Sequence, residues 1–173
     1  MDLNRYKYKI REIEDFPIPG VKFRDITPLL GDGQAFKEII SNLADFFKDK
    51  KVDKIVGIDA RGFLLAAPVA YALGAGLAII RKKGKLPHKT IVQEFELEYG
   101  HTEMEMHLDA INSGERVVII DDVLATGGTA EAAIQMVNQL DGQVVGLGFL
   151  LEISSFNGRN KLTGQDIHSL IIY

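Results

Sequence analysis

The sequence predicts an α/β protein, a parallel sheet flanked by helices, and three observations carry that expectation. Short apolar runs rich in β-branched residues recur along the chain, helical stretches alternate with them, and the runs are apolar throughout, as strands covered on both faces are. The 173 residues, 46% hydrophobic and 25% charged, suit a single domain (1–173) whose core needs no disulfide or metal staple. No internal repeat, low-complexity tract or linker marks a boundary.

Taken in order, DGQAFKEIISNLADFFKDKK places Phe36, Ile39, Ile40, Leu43, Phe46 and Phe47 at steps of three and four, with Asp32 as an N-cap: an amphipathic helix. KIVGI (54–58) reads as a strand, GFLLAAPVAYAL (62–73) as a helix stopped by Gly74, and LAII (77–80) as a second strand. RVVII (116–120) is a strand, TGGTAEAAIQMVNQL (126–140) a helix and QVVGLGFLL (143–151) a strand, with HSLIIY supplying an edge or extra strand. The segment TIVQEFELEYGHTEMEMHL differs. Phe95, Leu97 and Tyr99 alternate with Glu94, Glu96 and Glu98, and Met104, Met106 and Leu108 alternate with Glu103, Glu105 and His107. Two period-two runs divided by Gly100 and His101 predict an antiparallel hairpin with one acidic, solvated face.

Composition narrows the function classes. With no cysteine there is no thiol nucleophile and no thiolate zinc site, which suits a reducing compartment. His88, His101, His107 and His168 form no metal-ligand pair at helical spacing, so no structural metal is expected. The opening MDLNRYKYKIREIEDF lacks an apolar leader, no run approaches a membrane span, and a net charge of −4 argues against a general nucleic-acid surface. The expectation is a cytoplasmic protein that engages neither nucleic acid nor membrane.

The chemistry concentrates in RVVIIDDVLATGGT, residues 116–129: a buried strand, two adjacent carboxylates at its C-terminal end, then a turn that opens a helix. Ligands of open α/β sheets sit outside the carboxyl ends of the strands, and a helix N-terminus offers unpaired N–H groups to an anion. Ala125, Thr126, Gly127, Gly128 and Thr129 therefore read as a phosphate cradle, the glycines allowing close backbone approach and the threonines adding hydroxyl donors. Asp121 and Asp122 repel each other, so stability is a poor reason for the pair. Acceptor-only carboxylates suit sugar hydroxyls or a magnesium ion with its water shell. Phosphate at one end and vicinal hydroxyls at the other describe a ribose 5-phosphate.

The same segment resembles the phosphoribosyl pyrophosphate signature of the type I phosphoribosyltransferases, whereas GxxxxGK with Ser or Thr and GxGxxG are both absent. FPIPGVKFRDITPLL (16–30), IDARGFLLAAPVA (58–70) and RKKGKLPHKTIVQEFELEYG (81–100) make the resemblance to the adenine-using members global.

That resemblance implies an N-terminal hood (1–30) over the base, a flexible hairpin lid (90–108) and transfer of phosphoribose from phosphoribosyl pyrophosphate to adenine, giving AMP and pyrophosphate. It implies that Asp121 and Asp122 hold the ribose hydroxyls and that Ala125 to Thr129 bind the 5′-phosphate. Arg61, Arg81, Lys82 and Lys85 are implied at the pyrophosphate, Lys83 remaining solvated. Phe23 and Val123 would sandwich adenine, with backbone groups of Lys22 and Arg24 reading its edge. Glu98 and Tyr99 would sit on the lid, Glu98 exchanging a proton with the purine. A cis peptide between Asp59 and Ala60, substrate-chelated Mg2+ without direct protein ligation, and a homodimer complete the expectation. Two alternatives share the signature: a phosphoribosyltransferase for a 6-oxopurine, and a non-catalytic regulator sensing phosphoribosyl pyrophosphate, for which there is no room for a DNA-binding domain before Phe16.

Overall fold

A computed structural model gives the fold and describes residues 3–97 and 100–173. A 3-10 helix, Leu3–Lys9, buries Leu3 and Tyr6. Two short strands follow, β1 (Arg11–Ile13) and β2 (Phe23–Asp25), paired antiparallel with Ile13 opposite Phe23 and joined through a cis Phe16–Pro17 bond. Helix α1 (Thr27–Leu30) is started by Asp25, whose carboxylate accepts from Thr27 N and Oγ1 at 2.9 and 2.7 Å. These elements make up the N-terminal segment expected to serve as the hood.

Helix α2 (Gly33–Phe47) is capped as the sequence predicts, Asp32 Oδ1 accepting from Ala35 N at 2.9 Å, and it buries Ile39, Leu43 and Phe47. Strand β3 (Lys54–Ile58) matches its expected bounds, and helix α3 (Arg61–Leu73) ends at Gly74 in the left-handed region, φ 65°. Strands β4 (Gly76–Lys82), β5 (Thr90–Leu97), β6 (Gly100–His107) and β7 (Arg116–Leu124) lead to helix α4 (Gly128–Gln139). Strand β8 (Gln143–Glu152), a turn Gly158–Leu162 and strand β9 (Ile167–Ile172) complete the chain.

The seven-stranded sheet runs β5-β6-β4-β3-β7-β8-β9. Its five central and right-hand strands are parallel, and the hairpin β5–β6 joins the β4 edge antiparallel. Period-two alternation along β7 sends Val118 and Ile120 into the core that holds α2 and α3, and Val117 and Ile119 into the core that holds α4. From β3 the chain winds outward to β4, and from β7 it winds the other way to β8. The boundary between β3 and β7 is therefore a topological switch point, the place at which open α/β sheets take their ligands. No helix among the described residues is long and apolar enough to cross a membrane.

Four expectations are corrected. Strand β7 continues through Leu124, four residues past Ile120, so the two aspartates lie within it, and α4 begins at Gly128 rather than Thr126. Strand β4 outruns LAII and carries Arg81 and Lys82 into the sheet. Gly100 and His101 pair with Leu97 and Glu96 as strand, so they belong to β6 and do not divide the two runs. The hairpin's acidic side is not uniformly solvated, because Glu105 is only 4% exposed.

Phe47 fixes the packing of β8. A Cβ on Gly146 would lie 2.6 Å from Phe47 Cε1, and one on Gly148 2.6 Å from Ile120 Cδ1 and 3.1 Å from Phe47 Cε2. Phe47→Ala is expected to cost about 3–5 kcal/mol, and Gly146→Ala about 1–3 kcal/mol by overpacking. The double variant should be less destabilised than the sum, because the new methyl enters the space the ring vacates; urea denaturation of the four proteins measures that coupling.

Candidate active site

Both loops at the switch point carry the predicted residues. At the end of β3 the Asp59–Ala60 peptide is cis, and Arg61 opens α3. Next to it in α3, Gly62 permits a close approach to β7, since a Cβ there would come within 2.8 Å of Asp121 Oδ1 and 3.0 Å of the Ile120 carbonyl oxygen. Arg61 Nε lies 2.7 Å from Asp122 Oδ2, and Asp121 Oδ1 accepts from Asp122 N at 2.8 Å. Asp122 is 6% exposed.

Burial pushes the Asp121 carboxyl well above the ordinary aspartate range, and the neighbouring Asp122 charge pushes it further. Burial also raises Asp122, against the opposing pull of Arg61. The ion pair is not aligned as a hydrogen bond: Asp122 Oδ2 and Arg61 Nη1 are both buried without a hydrogen-bond partner. A buried acceptor and a buried donor are thus held ready beside each other, an arrangement that costs stability and suits a polar ligand.

The turn expected to cradle a phosphate joins β7 directly to α4. Gly127 has φ 85° and lies immediately before α4, which has no side-chain cap, so its first-turn N–H groups are open to an anion. Thr126 and Thr129 are half-buried on the same turn. A second glycine, which the sequence did not single out, braces the cradle. A Cβ on Gly127 would lie 2.6 Å from the Gly158 carbonyl oxygen, and a Cβ on Gly158 would overlap the Ala125 carbonyl oxygen. The turn bearing Gly158 is anchored by Arg159, whose Nε and Nη2 donate to the two carboxylate oxygens of buried Glu152 at 2.7 Å each. Nothing periodic marks these residues; their signal is spatial, Glu152 pairing with Leu124 across the sheet just before the cradle.

On the β4 side, Arg81 Nε lies 3.2 Å from Asp59 Oδ2, and its Nη1 donates to the Lys85 carbonyl oxygen at 3.3 Å. Arg61 and Arg81 are thereby brought to the neighbouring ends of β3 and β4. Lys82 and Lys85 are exposed, while Lys83 is paired with Glu103 at 2.8 Å. These cations thus make a rim along the carboxyl ends of β3 and β4 and the loop that follows β4.

The N-terminal segment meets Arg61 through Phe23. Its ring meets Phe16 edge-on at 5.1 Å and carries the Arg61 guanidinium 4.7 Å from its centroid. The Arg24 side chain instead covers the Tyr173 ring at 3.6 Å and pairs with Glu12 at 3.3 Å. Lys22 is exposed, 3.6 Å from Glu14. Val123 is half-buried against the core cluster that contains Ile26 and Leu29. Glu98 and Tyr99 lie outside the described residues.

With this geometry in place, known proteins can be compared. The sequence profile of the phosphoribosyl transferase domain matches residues 29–163. An adenine phosphoribosyltransferase of a Thermotoga species is 51% identical over 173 residues, all of both chains. The crystal structure of adenine phosphoribosyltransferase from Thermoanaerobacter pseudethanolicus superposes with a TM-score of 0.95 at 50% identity, covering 99% of each chain. The Saccharomyces cerevisiae enzyme, solved with adenine and an imino-altritol bisphosphate, superposes with a TM-score of 0.90 at 34% identity over 98% of each chain.

The raised carboxyls make stability pH-dependent in a defined direction. A folded-state pKa above the ordinary 3.8 means that the folded protein holds the proton more tightly, so this contribution to stability is complete below that value and is lost as pH rises through the folded pKa. Asp121→Asn removes the titration and leaves the Arg61–Asp122 pair in place. Its melting temperature should exceed that of the parent at pH 7, with the difference closing near about pH 3; scanning calorimetry across pH reads it.

Proposed function

The chain belongs to the phosphoribosyltransferase family, and from that premise we propose that it transfers the 5-phosphoribosyl group of phosphoribosyl pyrophosphate to adenine, giving AMP and pyrophosphate for purine salvage. The observation that carries this reading is the contact of Arg61 with Asp122 at the switch point, with the uncapped start of α4 following the acidic strand, Phe23 against the Arg61 guanidinium and Arg81 at the neighbouring end of β4. Each matches one part of the substrate.

Asp121 and Asp122 accept from the ribose 2′ and 3′ hydroxyls, and the main chain and hydroxyls from Ala125 to Thr129 take the 5′-phosphate. Arg61, Arg81, Lys82 and Lys85 hold the pyrophosphate, the free face of Arg61 being its buried, unpartnered Nη1. Phe23 and Val123 flank adenine, and the main chain at Lys22 and Arg24 reads its edge. Displacement breaks the bond from the anomeric carbon to pyrophosphate and forms the bond to the purine nitrogen, which loses its proton. No covalent nucleophile is required, so positioning and charge stabilisation supply the rate. We assign the transfer of that proton to Glu98, and to Glu98 and Tyr99 together the exclusion of water from the reacting atoms. Magnesium bound by the substrate would neutralise the leaving group; Asp122 Oδ2, a buried acceptor lacking a donor, fits its water shell or a ribose hydroxyl. The cysteine-free chain suits the reducing cytoplasm in which we place the reaction.

A second copy of the chain completes the proposal. On α3, Leu64, Ala67, Pro68 and Tyr71 recur at steps of three and four, all outward and all apolar, with Leu64 51% and Tyr71 90% exposed. A helix apolar on its solvent side seeks a partner, and this one begins at Arg61, so a dimer through it sets the pyrophosphate side of each site near the other protomer. Tyr71→Glu is expected to shift sedimentation from dimer to monomer.

Adenine is proposed to be recognised by a main-chain carbonyl accepting from its exocyclic amine. A 6-oxopurine would set oxygen against that carbonyl and leave a buried acceptor unpaired, at about 1–3 kcal/mol before repulsion is counted. The kcat/KM for AMP formation should therefore exceed those for IMP and GMP by well over tenfold, and rates within about tenfold of each other would remove the adenine assignment.

A further inference from the structure

The hairpin holds a buried acid apart from the aspartate pair. Glu105 stands on β6 opposite Arg81 of β4, with 4% of its surface exposed between buried Met104 and Met106. Its Oε1 accepts from Lys85 N and Leu86 N at 2.7 Å each, and its Oε2 lies 3.4 Å from Thr90 Oγ1. Burial opposes its charge, but the main-chain donors of Leu86, Gly84 and Lys85 outweigh that and hold the carboxyl below the ordinary glutamate range.

A buried carboxylate beside a rim of cations is the wrong sign to bind an anion itself: it competes for those cations and repels the ligand. What it does satisfy is the turn of RKKGKLP, whose N–H groups converge on one oxygen. Lys85 belongs to that turn, and its carbonyl accepts from Arg81 Nη1 at 3.3 Å. One side chain on the hairpin therefore shapes the loop that carries the cationic rim.

We infer that Glu105 is a positioning residue for the pyrophosphate subsite, fixing the backbone of residues 84–86 so that Arg81 and Lys85 face the leaving group. This rests on the phosphoribosyl-transfer reading. It separates the two halves of the substrate: the pyrophosphate half depends on Glu105, whereas the ribose 5-phosphate half rests on β7 and the turn at Gly158.

Three variants and two ligands test it by calorimetry, with magnesium present. Glu105→Ala and Glu105→Asp should weaken inorganic pyrophosphate binding, and raise KM for phosphoribosyl pyrophosphate, by about tenfold or more, while AMP affinity stays within about twofold. Glu105→Gln keeps an oxygen acceptor of the same reach and should restore most of the affinity. If Glu105→Ala does not fold, the Asp and Gln variants carry the comparison. Unchanged pyrophosphate binding in the Ala or Asp variant, a parallel loss of AMP binding, or a Gln variant as weak as the Asp variant would each overturn the inference. Failure of the unmodified protein to bind pyrophosphate or turn over adenine would instead count against the reading on which it rests.

Discussion

Asp121 and Asp122 stand side by side near the end of the central strand, and burial makes both charges costly. The surroundings relieve that cost only in part. Arg61 approaches Asp122 as an ion pair without hydrogen-bond alignment, and one carboxylate oxygen and one guanidinium nitrogen are left buried and unpartnered. A fold selected for stability alone would put apolar side chains here, as it does at Ile119 and Ile120 just before. The pair makes physical sense as one half of a polar contact whose other half is the ligand.

That constraint propagates outward through close backbone approaches. Gly62 lets α3 press against β7, so that Arg61 reaches Asp122. Gly127 and Gly158 interlock so that the cradle is supported from behind by a turn tied to Glu152. On the other flank, Glu105 gathers the main chain of the lysine loop. Each support is a short backbone segment held by a glycine contact or a buried carboxylate, which lets loops keep a defined shape while their outer faces remain open to substrate.

The sequence disclosed what is local. Strand β3, the cap at Asp32 and the stop at Gly74 follow from periodicity and turn chemistry within a few residues, and the structure places them as read. The aspartate pair and the glycine turn were legible because a strand, two acids and a helix start are contiguous. Glu105 was not, since its alternation with Met104 and Met106 looks like a solvated face. Its burial depends on N–H groups twenty and nineteen residues away, in a loop that periodicity leaves blank. Gly158 was missed for the same reason, its neighbour in space being Ala125. The short pair β1–β2 escaped because strands of three residues are too brief for alternation to register.

The central claim is that the charge of Asp121 and Asp122 is kept for the sugar and its metal rather than for the fold. Titration of phosphoribosyl pyrophosphate, with magnesium, into the Asp121→Asn, Asp122→Asn double variant tests it most directly. Amides preserve the size of the side chains and lose the acceptor charge. The account predicts a folded protein whose affinity falls by about tenfold or more, as expected when charge-assisted hydrogen bonds are lost. A folded double variant that binds phosphoribosyl pyrophosphate as tightly as the unmodified protein would contradict it.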